Sequence, residues 1–217
     1  MNMRLLLIGF TLAIAASDLL AQAPDAAQIA QERRQAELDA PKLVEVLELK
    51  PGMVVADVGS GGGAMTVVLG HWIGRGHVFA TDITEHALRE TRAYANKEGL
   101  TNVTVIEGAA ASTNLPNACC DAIFLRHVYH HITDPDAFNK SLLESLKPGG
   151  RLAIIDFEAR GRGQVPAGVR ANRGGHGIPI GVLVEEVKAA GLTHVLSVER
   201  WPPDDKKAGT FLTLFRK

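Results

Sequence analysis

The stretch ADVGSGGGAMT, residues 56–66, sets Asp57 two positions ahead of Gly59 and crowds four glycines into positions 59–63. Glycines that leave a strand and enter a helix expose bare backbone and a helix amino terminus to whatever lies above the strand end. A nucleotide-sized ligand is the expected occupant, met by Gly59, Ser60, Gly61 and Gly63. The spacing of Gly59, Gly61 and Ala64 passes equally for a dinucleotide fingerprint, so the turn by itself leaves the ligand open. Two carboxylates narrow the choice. Asp57 ends one apolar run and could receive an ammonium group; Asp82 ends the next and could accept hydrogen bonds from both hydroxyls of a ribose. A ligand with an amino acid at one end and a nucleoside at the other satisfies both.

A second cluster, RHVYHH at residues 126–131, follows a further apolar run. Ligands collect at the carboxyl ends of parallel strands. Arg126 is therefore expected beside the ligand, and Tyr129, His130 and His131 are candidates to take a proton from a substrate. Packing roles for His130 and His131 explain the pair equally well. Asp156 ends the run RLAIIDF and is an alternative base, with Glu158 close behind it. His127 and His131 stand four apart, as helical metal ligands do, but the cluster offers no cysteine and Asp134 is its nearest carboxylate, so no metal is expected. The segment 158–177 carries Arg160, Arg162, Arg170, Arg173 and His176 among six glycines; it reads as a mobile lid whose arginines could clamp an anionic substrate.

The elements that must position these residues follow from periodicity. Strand-length apolar runs stand at 53–58, 77–83, 103–108, 121–128 and 151–157, with helical periods at 64–73, 85–99, 135–147 and 181–190. Such alternation defines an α/β class with a parallel sheet. The last runs, 194–200 and 209–217, have only the turn-rich WPPDDKKA between them, which predicts an antiparallel hairpin. Residues 26–49 form an amphipathic helical segment, expected to break at Pro41 and to cover one edge of the domain.

Taken together, VVADVGSGGG, the acidic end of VFATDI, CDAIFLRHVYHHITDP and LKPGGRLAIIDF resemble the class I S-adenosylmethionine-dependent methyltransferase family over residues 41–157. The resemblance implies a three-layer αβα Rossmann-like fold: a mostly parallel seven-stranded sheet with a C-terminal antiparallel hairpin. It places Asp57, Gly59, Gly61 and Gly63 around the methionine part of S-adenosyl-L-methionine, Asp82 on the ribose, Ile83 against the adenine, and Gly108 and Ala109 near the adenine amino group. The family often has an aspartate after the third strand, where this chain has Ala109 and Ala110, so a backbone group is expected to stand in. Two other readings stay open: a nicotinamide-dependent oxidoreductase using the same turn, and an exported, non-catalytic binding protein that keeps the fold.

Arg4, the apolar run Leu5–Ala16 and the small residues to Ala23 form the tripartite pattern of a secretory signal, with Pro24 at the expected cut. Residues 1–23 are thus expected to direct export or to tether the chain to a membrane, residues 24–50 to be a helical segment, and residues 51–217 to be the catalytic domain. Cys119 and Cys120, the only cysteines, are adjacent and are expected to be small buried residues rather than a disulfide. With 23 basic against 24 acidic residues the net charge is -1, no basic stripe or aromatic platform is apparent, and no Asn-Pro-Pro-Tyr motif follows the fourth strand. A small-molecule substrate is expected, and nucleic acid is not.

Overall fold

The computed structural model describes residues 26–161, 165, 167–204 and 209–217; the expected export signal at 1–23 and Arg162 lie outside them. Seven strands form one sheet: β1 (Val54–Val58), β2 (His77–Asp82), β3 (Val103–Glu107), β4 (Cys120–Arg126), β5 (Leu146–Asp156), β6 (Thr193–Trp201) and β7 (Thr210–Arg216). Their order is β3-β2-β1-β4-β5-β7-β6, parallel except that β7 runs antiparallel to both its neighbours. The chain winds outward from β1 to β3, then returns to the other side of β1 for β4. The carboxyl ends of β1 and β4 are therefore the point where the order reverses, and there the connections leave in opposite directions and open a crevice.

Side chains alternate between the two faces of each strand. Val55, Ala122, Phe124, Ala153 and Ile155 face α1 (Ala26–Val46) and α2 (Ala64–Ile73), while Ala56, Ile123, Leu125, Leu152 and Ile154 face α4 (Pro135–Ser145) and α5 (Ile180–Ala189). Helix α3 (Glu85–Lys97) packs beside α2 and over β2 and β3. The result is three layers, helix on sheet on helix.

Two expectations change. Helix α1 continues through Pro41 to Val46. It buries Ala36, Ala40, Leu43 and Leu47, a stripe at three- and four-residue spacing, on α2 and the sheet, so it covers a face and shares the domain core instead of guarding an edge. Cys119 and Cys120 are joined as a disulfide, although Cys120 is as buried as expected. The described ends of the segment 158–177 are anchored: Arg160 N–H bonds the His176 carbonyl at 2.9 Å, Ile180 N–H bonds Glu158 Oε1 at 3.2 Å, and Arg173, 1% exposed, lies 2.9 Å from Glu186 of α5. Among the described residues no helix is long and apolar enough to cross a membrane.

The Arg173–Glu186 pair is buried, and removing one member of such a pair leaves the other charge unpaired in the interior. Glu186→Ala should lower the unfolding free energy by about 3–5 kcal/mol in urea denaturation, and replacing Arg173 by Met and Glu186 by Leu together should recover most of the loss. Equal losses from the single and double changes would show that the pair is not what holds this connection.

Candidate functional site

The glycine turn is dictated by crowding as much as by flexibility. Gly59 has φ 77°, and a Cβ built there would stand 2.2 Å from Val128 Cγ2. Gly63, at φ 78°, is the N-cap of α2 without a capping side chain, and a Cβ there would stand 2.9 Å from the Thr91 backbone. The first turn of α2 thus begins with no side chain in front of it, beside the end of β1.

Asp57 is 3% exposed. Its Oδ2 accepts a 2.6 Å hydrogen bond from Thr66 Oγ1, in the first turn of α2. Burial pushes its carboxyl up from the ordinary 3.8 to about 6, against the opposing pull of the Thr66 hydrogen bond and the Arg126 guanidinium. Arg126 in turn donates to Asp39 Oδ2 of α1 at 3.0 Å. Asp57, Gly59, Ser60, Gly61, Arg126, His127 and Glu32 of α1 line a polar pocket of about 160 Å³.

On the other side of the Gly59–Val128 contact lies a cavity of about 330 Å³, walled by Val58, Asp82, Ile83, Gly108, Ala109, Ala110, Val128, His131, Ile132 and Phe138. Ile83, a large apolar side chain that lines this cavity, is 66% exposed. Asp82 receives Gly61 N–H at 3.1 Å on Oδ2, and Thr84 N–H and Oγ1–H at 2.9 and 3.0 Å on Oδ1. Thr84, not Asp82, caps α3. A carboxylate has about four acceptor positions, so binding both hydroxyls of a ribose would require the Thr84 hydroxyl to turn away. The N–H of Ala109 is given to the Ser112 carbonyl at 2.7 Å; a backbone donor to an adenine would have to come from elsewhere in that turn.

The expected proton acceptors separate sharply. Tyr129 is 0% exposed, its hydroxyl donating to Glu186 Oε2 at 3.2 Å and accepting from Asn139 Nδ2 at 2.7 Å. Burial pushes its phenol far above the usual tyrosine range, and the hydroxyl is engaged on both sides away from the cavity. Asp156, also 0% exposed, accepts from the His130 N–H at 3.0 Å, His130 Nδ1 at 2.8 Å and the Phe157 N–H at 3.0 Å. It has no exposed surface and does not line the cavity, so it positions His130 and is not a base in the cleft. His130 is 2% exposed, enclosed by His131, Phe157 and His176. Only His131 of the four faces the cavity. Desolvation and the neighbouring His130 and His176 rings hold its pKa below the ordinary imidazole value. Arg170 and Arg173, expected to clamp an anionic substrate, are bound instead to Asp136 and Glu186.

Sequence reasoning missed Thr66, which holds Asp57, and Glu32, Val128 and Phe138, which line the two pockets. Nothing in their types signals a site. The alignment of residue 66 with residue 57 and of residue 128 with residue 59 exists only after β1, α2 and β4 have been packed.

A doubly wound sheet with a polar pocket and an apolar cavity at its order reversal defines a nucleotide-binding α/β domain. Residues 56–154 match the family model described as a methyltransferase domain. The chain is 33% identical over 116 residues to the ubiquinone/menaquinone biosynthesis C-methyltransferase UbiE of Shewanella frigidimarina, covering 52% of this chain and 46% of that protein. It spans about half the length of the curated relatives it matches. Among solved structures, a SAM-dependent methyltransferase from Aquifex aeolicus superposes with a TM-score of 0.61 at 28% identity, covering 85% of this chain and 97% of that one. The [4+2]-cyclase SpnF superposes with a TM-score of 0.66 at 19% identity over 88% of this chain and 82% of that one, a likeness of fold alone. Over residues 56–154 the chain is similar to the class I S-adenosylmethionine-dependent methyltransferase family. The site fits that family's cofactor: a buried carboxylate in the polar pocket for an ammonium, Asp82 for the ribose, and an apolar cavity with exposed Ile83 at its mouth for the adenine.

Ionising Asp57 works against folding. Between 3.8 and about 6 the folded chain keeps a proton that the unfolded chain has lost, so stability falls as pH rises through that window and is level above it. The shift corresponds to about 3 kcal/mol. Asp57→Asn should therefore stabilise the ligand-free protein by about 2–3 kcal/mol at pH 7.5 in urea denaturation, and flatten the decline between pH 4 and 6. A destabilised Asp57→Asn protein would mean that the carboxylate is already compensated.

Proposed function

We propose that this chain transfers a methyl group from S-adenosylmethionine to a small-molecule acceptor. The observation that carries the proposal is Asp57, a carboxylate held in the interior with a pKa pushed up to about 6, opening onto a pocket that abuts the cavity of Asp82 and Ile83. A buried carboxylate raised in this way gains most from a cationic ligand. It would repel a pyrophosphate, and β7 runs antiparallel where a dinucleotide-binding sheet continues parallel; both features weigh against the nicotinamide reading. The cofactor's sulfonium supplies an activated methyl group. This chain's part is to hold the ammonium and ribose ends, bury the adenine and bring an acceptor to His131, the candidate side chain that faces the cavity.

The name of the UbiE relatives bears on the acceptor only as far as the shared domain reaches, and the SpnF likeness is a reminder that a fold does not fix a reaction. Arg170 and Arg173 are engaged with Asp136 and Glu186, so neither is free to hold an anionic acceptor. No basic surface motivates a nucleic-acid partner. Export through residues 1–23 belongs to the same proposal; amino-terminal sequencing of protein recovered from a periplasmic fraction should begin at or near Pro24, and an intact Met1 in the cytoplasm would refute it.

Calorimetric titration of protein beginning at Pro24 should show binding of S-adenosylmethionine and S-adenosylhomocysteine and none of NADH. Asp57→Ala should weaken the first two by at least about 100-fold, a few kcal/mol. Because only the ionised carboxylate pairs with an ammonium, affinity should fall roughly tenfold per pH unit below about 6. Undiminished binding by Asp57→Ala would sink the assignment. Cofactor binding with no turnover on any acceptor would favour the non-catalytic reading.

A further inference from the structure

Three histidines converge beside the carboxyl ends of β4 and β5. One ring nitrogen from each of His130, His131 and His176 lies within 4.8 Å of the other two. They come from two distant stretches of chain. His130 and His131 sit in the short 3-10 turn Tyr129–His131 after β4; His176 lies in the connection after β5, held in place by the Arg160 N–H bond to its carbonyl. His130 is fixed by Asp156 through both its backbone N–H and Nδ1, which leaves Nε2 as the nitrogen able to coordinate. A buried carboxylate that orients an imidazole through one nitrogen and frees the other is the outer-shell arrangement found behind metal-ligating histidines.

Plain packing accounts for less. The rings stack around Phe157, with His130 at 4.6 Å and His176 at 5.2 Å from its centroid, as apolar side chains would do without leaving imidazole nitrogens together. Among the described residues no hydrogen bond joins the three rings to one another. Asp156, meanwhile, commits two hydrogen bonds, to the backbone N–H and Nδ1 of His130, to set one ring of the three.

We propose that His130, His131 and His176 bind a divalent cation of the zinc type through three imidazole nitrogens, with a fourth coordination position open. Three neutral nitrogen donors without a carboxylate in the first shell select zinc, cobalt, nickel or copper over magnesium and calcium, which take oxygen. Three protein ligands and an open position characterise reactive metal sites more than structural ones. Metal–nitrogen bonds of about 2.0–2.1 Å require the nitrogens to approach to roughly 3.4 Å, closer than the present spread. His130 is anchored, so exposed His131 and half-buried His176 are the rings that would move. His131 also lines the cavity of Asp82 and Ile83, which sets the metal at its edge. If the methyltransferase reading holds, the open position would receive an oxygen, nitrogen or sulfur donor of the acceptor. The metal site itself does not depend on that reading.

The test uses the full chain from Pro24, stripped with a chelator and titrated with Zn²⁺ by calorimetry and with Co²⁺ by visible absorption. One equivalent of zinc and the intense visible bands of four-coordinate cobalt are expected. His176→Ala and, separately, His131→Ala should each abolish the cobalt bands and weaken zinc at least about 100-fold, and Asp156→Asn should weaken it about 10–100-fold. His176→Ala should leave S-adenosylmethionine affinity unchanged and keep its thermal unfolding cooperative. Absence of the cobalt bands, or zinc binding that survives both histidine changes as an adventitious surface ion would, overturns the proposal. Zinc binding without S-adenosylmethionine binding would leave the metal site standing and remove the methyltransferase reading; the opposite result would do the reverse.

Discussion

A carboxylate 3% exposed to water must be compensated by the protein or by a ligand, and the compensation of Asp57 organises the rest of this structure. Thr66 can supply its hydroxyl only because α2 starts immediately beyond the glycine turn. Arg126 brings positive charge from the next strand but divides it with Asp39 of α1, which closes that helix over the polar pocket. What remains uncompensated is visible in the raised pKa. Stability is given up at a site that a cation would repay, a pattern expected where binding rather than folding has set the residue.

The cluster after β4 shows the opposite economy. Its side chains are paired with one another, Tyr129 with Glu186 and Asn139, Arg173 with Glu186, and His130 with Asp156, although Asn139 Oδ1, Arg173 Nε and Nη2 and Glu186 Oε1 are buried without a hydrogen bond. These bonds stitch the turn after β4 to α4, α5 and the connection after β5. Residues that look like acid–base machinery in the sequence therefore serve mainly to hold one another, and the cavity receives only His131 from among them. Burial is the deciding variable, because a group with no exposed surface and no spare lone pair has nothing to offer a substrate.

Much of the fold was legible because strand and helix periods are local. The helix at 64–73 matches its expected bounds, and the turn-rich WPPDDKKA does join an antiparallel pair. Pro41 misled because its penalty is local whereas α1 is held by Ala36, Ala40, Leu43 and Leu47 against α2 and the sheet, a tertiary gain invisible in the segment itself. At the site, Asp57, Asp82 and the glycines were readable from position at strand ends. Which of Tyr129, His130, His131 and Asp156 faces the cavity was not, since four adjacent or distant residues differ there only in the direction that packing gives their side chains. His176 reads in the sequence only as part of a lid for the same reason: its neighbours His130 and His131 are 45 and more positions away.

One contact divides the crevice and explains why its halves differ in chemistry. Val128 reaches Gly59 because the backbone turns sharply at His127, whose φ of 58° is a left-handed conformation that few side chains adopt. On the α1 side of that contact the walls are Asp57, Arg126 and Glu32; on the α4 side they are Val58, Ile83, Val128 and Phe138. A ligand spanning both must carry its charge at one end and its apolar ring at the other, with the junction beside Gly59 and Val128. Selectivity for a zwitterionic nucleoside over a dinucleotide is thus written less in the glycine spacing, which both share, than in the strained residue that sets Val128 against the turn.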